Sequence, residues 1–211
     1  MPTQESQLNM FEAGNAHIQE FEALLRSTKR PGVESVITHL KELGFYDAPA
    51  STKFHLNCKG GLLEHSMSVY KVACALREAM IPLKPELAEK LPKESIIIAT
   101  LLHDTCKAEI YKLEQKWRKD AQNKWESYEA YGVDYTEFPL GHGEKSVIRL
   151  LQWGLQMTDD EIIAIRWHMQ AWDLPFQSPE AKANYTSAGA KCPLLELIQS
   201  ADGMSTKLLE E

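Results

Sequence analysis

The sequence predicts an all-α fold that carries one β-hairpin. Apolar residues recur at helical spacing along most of the 211-residue chain, and glycine and proline interrupt these stripes where helices would begin and end. One stretch, residues 111–135, departs from the pattern because it is rich in aromatic and charged residues. The apolar content of 44% is enough for a buried core, and the length suits one domain over residues 1–211.

The first fifty residues predict two amphipathic helices. Residues 6–28 place their apolar side chains on one helical face. A second stripe runs from residue 33 to residue 43, with Pro31 as its first helical position and Gly44 as its stop. We therefore expect residues 1–50 to form an N-terminal helical extension.

The next segment leads to the most informative part of the chain. A loop over residues 45–60 precedes a helix that begins at Gly61 and ends before Pro82, and a further turn is expected over 86–91. Residues 96–102 are apolar apart from one threonine. A run this short indicates a buried element, although periodicity alone does not distinguish a helix from a strand.

The stretch from residue 111 to residue 135 predicts a β-hairpin. Its aromatic residues favour a pleated surface, and residues 120–124 have the Asp and Asn content of a turn. A polar helix is the alternative. Trp117 and Trp125 flank the turn, and with Trp172 they indicate aromatic packing, or alternatively stacking on a nucleic-acid base.

The last third of the chain returns to helical periodicity. One helix follows the Gly-His-Gly sequence centred on His142. Thr158 and Glu161 have the spacing of a capping box, which predicts a helix start. Ser178 begins a further short helix, and Pro193 begins the last one.

Several residues of metal-ligand type fall on inward faces or at helix ends of this pattern. Neutral imidazoles and carboxylates bind first-row divalent metals, and a carboxylate on an apolar face needs a strong partner. One such histidine is more often a satisfied core residue than a ligand, but a set on different helices indicates the kind of metal site that helical bundles build. The set comprises His65, His103, Asp104, His142, His168 and Asp202.

Composition and charge narrow the function further. The net charge of −7 disfavours non-specific binding of long nucleic acid, which requires a basic surface. The N-terminus lacks the basic and apolar regions of a signal peptide, and no apolar run is long enough to cross a membrane. The cysteines form no CxxC pair and indicate the reduced thiols of a cytoplasmic protein. They are Cys58, Cys74, Cys106 and Cys192.

In this order and spacing, the ligand set resembles that of the HD-domain metal-dependent phosphohydrolases. His65 ends the sequence Gly-Gly-Leu-Leu-Glu-His, and the His103–Asp104 doublet stands in Leu-Leu-His-Asp-Thr-Cys-Lys. Asp202 matches the distant aspartate of the family, and His142 and His168 match the two extra histidines of its two-metal members. The resemblance covers residues 55–209 approximately and identifies them as an HD core.

The resemblance implies an HD-domain helical bundle that hydrolyses phosphate esters with one or two divalent metals. His65, His103, Asp104 and Asp202 would hold the first metal, and Asp104 would bridge to a second metal completed by His142 and His168. Such mixed ligation suits iron, manganese, nickel or zinc, with magnesium as a further candidate. Asp104 and Lys107 would be catalytic, since Lys107 matches a lysine that could neutralise charge on the phosphoryl group; a solvated lysine is the alternative.

Three weaker candidates could contact substrate. His55 matches a histidine that some relatives carry before the Gly-Gly pair, although a plain loop residue is equally consistent with the sequence. Lys145 and Arg149 are neighbours on one helix and could meet a phosphate or simply face solvent.

Three functions compete at this point. The leading one is hydrolysis of a small phosphorylated substrate, a nucleotide or other phosphomonoester. A phosphodiesterase or 3′–5′ exonuclease is the enzymatic alternative, although the acidic charge and the lack of a separate nucleic-acid-binding domain disfavour a long strand. A non-catalytic metal- or nucleotide-binding signalling module is the third. The sequence leaves the oligomeric state open.

Overall fold

The computed structural model describes residues 4–170 and 178–210, with side chains from residue 15 onward. It is mostly helical with one two-stranded antiparallel sheet. In chain order the helices are α1 (Gln4–Ser27), α2 (Val33–Glu42), α3 (Gly61–Met80), α4 (Leu87–Lys90), α5 (Lys93–Leu102), α6 (Lys107–Ile110), α7 (His142–Gln152), α8 (Asp159–Trp167), α9 (Pro179–Lys191) and α10 (Pro193–Met204). A 3₁₀ turn, Phe45–Asp47, precedes α3, and a π-helical turn, Ser205–Leu209, follows α10.

Helices α3, α5, α8 and α10 pack against one another and enclose the core. The apolar run 96–102, which periodicity left ambiguous, is helical and lies at the centre of this group, because every residue from Ser95 to Leu102 is buried. An element buried on all sides shows no amphipathic stripe, and this explains the ambiguity. Among the described residues, no helix is both long and apolar enough to cross a lipid bilayer.

The N-terminal helices contact the core through a close approach at Gly32. Its φ is +92°, and a β-carbon there would collide with the carbonyl of Gly154. The start of α2 at Val33 shows that the prediction of Pro31 as a first helical position was wrong, since the left-handed Gly32 separates the two. Arg30 adds a bidentate ion pair to the buried Glu161, with distances of 2.7 and 2.9 Å.

The predicted hairpin is confirmed. Strand β1 (Tyr111–Lys119) pairs with β2 (Trp125–Val133), and Lys119 stands opposite Trp125 at the tip. The prediction that its tryptophans pack was wrong: Trp117 and Trp125 are 65% and 66% exposed, because the hairpin makes its main described contacts between its own strands and with α6. Trp172 lies outside the described residues.

Three predicted helix starts of the last third are also confirmed, whereas α7 begins at His142 itself and not after the Gly-His-Gly sequence. Thr158 and Glu161 form the capping box of α8 with both reciprocal hydrogen bonds. The Ser178 side chain accepts a hydrogen bond from the Ala181 amide at the start of α9. Pro193 is the first residue of α10.

Candidate metal centre

Separate helices bring the six predicted ligands to one place. His65 lies in the first turns of α3, and His103 and Asp104 directly follow α5. His142 begins α7, and His168 caps α8. Asp202 lies in the last turn of α10. Because helix ends converge here, each side chain reaches the centre without interrupting the packing of its helix.

The two oxygens of Asp104 face two different pairs of histidines. Oδ2 lies 3.2 Å from His103 Nε2 and 3.4 Å from His65 Nε2. Oδ1 lies 2.6 Å from His142 Nε2 and 3.3 Å from His168 Nε2. One carboxylate therefore stands between two clusters of potential ligands.

The first cluster has the spacing of a metal shell. The Nε2 atoms of His65 and His103 are 3.3 Å apart, and Asp202 Oδ1 lies 3.4 Å from His65 Nε2. Ligand atoms about 2.1 Å from one ion are separated by about 3.0 Å in octahedral and 3.4 Å in tetrahedral geometry. The observed separations fall in this interval.

Hydrogen bonds on the far side of each ring orient three of the histidines. Nδ1 of His103 lies 2.8 Å from the Thr100 carbonyl, and Nδ1 of His168 lies 2.7 Å from the Ile165 carbonyl. A carbonyl oxygen only accepts hydrogen bonds, so each Nδ1 carries a proton. In a neutral ring the lone pair is then on Nε2, and it points toward Asp104. Nε2 of His168 is buried and makes no hydrogen bond within the described structure, which fits a ligand position.

Glu210 orients His65 through a hydrogen bond to Nδ1 of its ring. This residue was not identified from the sequence. Its carboxylate accepts a hydrogen bond from His65 Nδ1 at 2.9 Å and is only 7% exposed. Glu210 follows the π-helical turn, and no spacing in the sequence relates it to His65 across 145 positions.

The pKa values show that this cluster attracts positive charge. Burial lowers the pKa of His65, but hydrogen bonds to Asp104 and Glu210 outweigh it and raise that pKa to about 9. Burial likewise opposes protonation of His142, yet the neighbouring Cys106 and Asp104 raise its pKa to about 10. His168 differs, since burial keeps its pKa below the ordinary value and leaves the ring neutral.

Lys107 places its ammonium group against the central carboxylate of Asp104. Its Nζ lies 2.6 Å from Asp104 Oδ2, and the side chain is 9% exposed, so the alternative of a solvated lysine was wrong. Burial raises the pKa of Asp104, but the charges of Lys107 and His103 overcome this and hold it well below its usual range. Three carboxylates (Asp104, Asp202, Glu210) and the Lys107 ammonium group together carry a formal charge of −2 when the imidazoles are neutral, which one divalent cation would balance.

A cavity of about 250 Å³ opens beside the cluster. Asp104, Lys107 and His168 line its inner side, and Lys207 lies at its exposed rim. His55 also lines it: its ring centroid is 5.1 Å from that of His65, and its Nε2 is buried without a hydrogen bond in the described structure.

Two of the weaker candidates have another partner. Arg149 donates two hydrogen bonds to Glu109, at 2.6 and 2.9 Å, and Lys145 Nζ lies 3.3 Å from the same carboxylate. Both cations also lie over the ring of Phe138. Neither residue lines the cavity, and Lys145 is buried, which corrects its reading as a phosphate contact or a solvated residue.

The chain was compared with protein-family models, with curated proteins and with solved structures, and none of the three comparisons finds a match. In the described structure, His65, His103 and Asp104 form one group that could hold a metal ion, and Asp104, His142 and His168 form another.

Proposed function

We propose that the protein is a metal-dependent phosphohydrolase of the HD-domain type that cleaves a small phosphorylated substrate, a nucleotide or another phosphomonoester. One observation carries the proposal: the two oxygens of Asp104 face separate histidine pairs. A carboxylate so placed is suited to bridge two cations. His65, His103 and Asp202 would complete the first site, and His142 and His168 the second.

The chemistry follows from the residues that surround the cavity. Bound there, iron, manganese or another divalent metal would supply activation of a water molecule and stabilisation of the attacking and leaving oxygens. Lys107 lies at the cavity wall, where its ammonium group can neutralise charge that concentrates on the phosphoryl oxygens in the transition state. Glu210 holds the His65 ring with Nε2 directed at the centre.

The cavity and the charge favour a small substrate. A volume of about 250 Å³ lies just below the roughly 300–1,000 Å³ typical of small-molecule sites. The cations at its wall and rim, Lys107 and Lys207, could meet a phosphate group, whereas the chain as a whole is acidic and offers little to a polyanion.

The test begins with metal content. Protein stripped with chelator and reloaded with Mn²⁺, Fe²⁺, Ni²⁺ or Zn²⁺ is assayed on a panel of mononucleotides and simple phosphomonoesters, and in parallel on a labelled RNA oligomer. Turnover of a monoester supports the proposal. Processive shortening of the oligomer without monoester turnover would promote the exonuclease, and metal binding without any turnover would favour the signalling module.

Lys107→Ala separates the catalytic lysine from the metal ligands. We expect kcat/KM to fall by roughly ten- to a thousandfold, as with loss of one electrostatic contact in the transition state, while metal content stays the same. Lys84→Ala is the matched control, because Lys84 is exposed and lies outside the cavity lining. Equal losses in both variants would remove Lys107 from the mechanism.

A further inference from the structure

A second cavity, larger than the one at the metal centre, lies between the end of α3, the short helix α4, the end of α9 and the helix α10. Its volume is about 400 Å³. Most of its wall is apolar, and we call this part the apolar wall: Leu76, Met80, Leu87, Leu91, Pro193 and Leu197. Small-molecule sites typically have roughly 300–1,000 Å³ and a mostly apolar lining, so the second cavity has the size and character of a ligand site.

Helix α10 contributes a different face to each of the two cavities. Pro193, Leu197 and Ser200 recur at spacings of four and three and line the second cavity. Gln199 and Asp202 point in another direction around the helix and line the cavity of the metal centre. The two cavities share no lining residue, so the second one is a separate site.

Hydrogen bonds hold the apolar wall in place. Arg77 of α3 donates from Nε to the Leu91 carbonyl at 2.8 Å, and its Nη2 lies 3.5 Å from the Ala88 carbonyl. These contacts tie α4 to α3. Pro82 and Pro85 restrict the backbone that connects the two helices. Because the wall is preformed, a ligand would lose little affinity to ordering of the protein.

The second cavity has one charged lining residue, Glu196. Within the described structure its carboxylate makes no ion pair or hydrogen bond. A β-carbon added to Gly189 would lie 3.0 Å from Glu196 Oε1, so the glycine leaves the carboxylate its place at the edge of the cavity. Ser200 lies one turn further along the same face of α10 and adds a hydroxyl group. The polar groups of the cavity therefore favour a positively charged partner.

A small apolar molecule with a single positive charge matches this arrangement. Its apolar part would leave water for the apolar wall, and its charge would pair with Glu196. No basic residue lines the cavity, so the carboxylate of a fatty acid would meet only the negative charge of Glu196. Since a cavity of about 150 Å³ holds benzene, a cavity of 400 Å³ would hold about ten to sixteen non-hydrogen atoms.

We infer that the second cavity binds a small amphipathic cation, an alkylamine or arylalkylamine, whose apolar part contacts the apolar wall and whose ammonium group pairs with Glu196. The inference does not depend on the proposed phosphohydrolase function, because the metal centre lies at the other cavity.

Isothermal titration calorimetry of the full chain tests this, with decylammonium as the probe and decanoate as its anionic counterpart. The titration is made with chelator and repeated with Mn²⁺. We expect one site per chain, with a Kd for decylammonium between roughly 1 µM and 1 mM. Decanoate should bind at least about fivefold more weakly. Octylammonium, which is two methylenes shorter, should bind roughly tenfold more weakly than decylammonium because less apolar surface is buried.

Two substitutions of Glu196 test the charge. Glu196→Lys should reverse the preference, so that decanoate binds more tightly than decylammonium. Glu196→Gln keeps the shape of the side chain and should weaken decylammonium binding by about two- to fivefold. Glu94→Lys is the matched control, because it makes the same charge reversal in the first turn of α5, outside the cavity lining, and should keep the wild-type preference.

Met80→Ser tests the apolar wall at a residue whose 44% exposure makes unfolding unlikely to follow. It should weaken decylammonium and decanoate alike, by about fivefold, since part of one apolar side chain is lost from the site. Leu83→Ser is its control: Leu83 is 78% exposed, lies outside the lining, and should be replaceable without effect on binding.

Three results would overturn the inference. The first is the absence of saturable decylammonium binding to the wild type below the concentration at which the amine forms micelles. The second is equal affinity of the wild type for decylammonium and decanoate. The third is an undiminished preference for decylammonium in both Glu196 variants, with circular dichroism at 222 nm showing that they are folded.

Discussion

Asp104→Asn isolates the charge at the centre of the cluster. The substitution keeps the shape of the side chain but removes the negative charge that Lys107 Nζ and His142 Nε2 both approach at 2.6 Å. Loss of one member of a buried ion pair costs about 3–5 kcal/mol, because the remaining charge stays buried without compensation. In a protein of this size, 1 kcal/mol corresponds to about 2–4 °C, so the metal-free variant should melt roughly 6–20 °C below wild type.

The same substitution should abolish the thermal effect of metal. Mn²⁺ at a hundred times its Kd stabilises a folded protein by about 2.7 kcal/mol, which predicts a rise in Tm of about 5–10 °C for wild type. The variant should show little of this rise, since Asp104 contributes an oxygen to both candidate sites. Circular dichroism at 222 nm, recorded with chelator and with Mn²⁺, measures both effects.

Asp159→Asn is the matched control, because it makes the same change at an exposed carboxylate in the first turn of α8. We expect a small change in Tm and an undiminished response to metal. The reasoning is refuted if Asp104→Asn retains the full metal-induced rise, or if its Tm with chelator equals that of wild type.

Two further predictions concern buried carboxylates. Glu210→Gln should weaken metal affinity by about 10- to 100-fold in calorimetric titration, because Glu210 orients His65, and unchanged affinity would dismiss that role. Glu109→Gln should lower the free energy of unfolding by about 2 kcal/mol at neutral pH, the value of a hydrogen bond to a charged group. Burial raises the pKa of Glu109, but Arg149 and Lys145 outweigh it and depress the folded-state pKa below 4.5. The difference between wild type and variant should therefore be constant above about pH 5 and shrink as the pH falls through the folded-state pKa. Urea unfolding from pH 3 to pH 7 measures it, and a difference that grows on acidification would contradict the sign.

Local sequence determined those elements whose signals lie within a few residues. The capping box at Thr158 and the turn between Trp117 and Trp125 are each formed by hydrogen bonds between residues close in sequence. Both were predicted from sequence, and both are present in the structure. The ligand types could also be selected from sequence, since a carboxylate such as Asp202 on an apolar face needs a partner.

Tertiary structure alone decided which side chains meet. Glu210 and His65 are 145 positions apart, and only the packing of α10 against α3 brings them into contact. Lys145 and Arg149 both contact the carboxylate of Glu109, which lies outside their own helix, so the sequence of that helix does not reveal their partner. The sequence also did not reveal that Trp117 is exposed. A strand pattern indicates which side chains share a face but not whether another element covers that face. Sequence thus determined which groups need partners, and the packing of distant helices, through distance and burial, decided which partners they have.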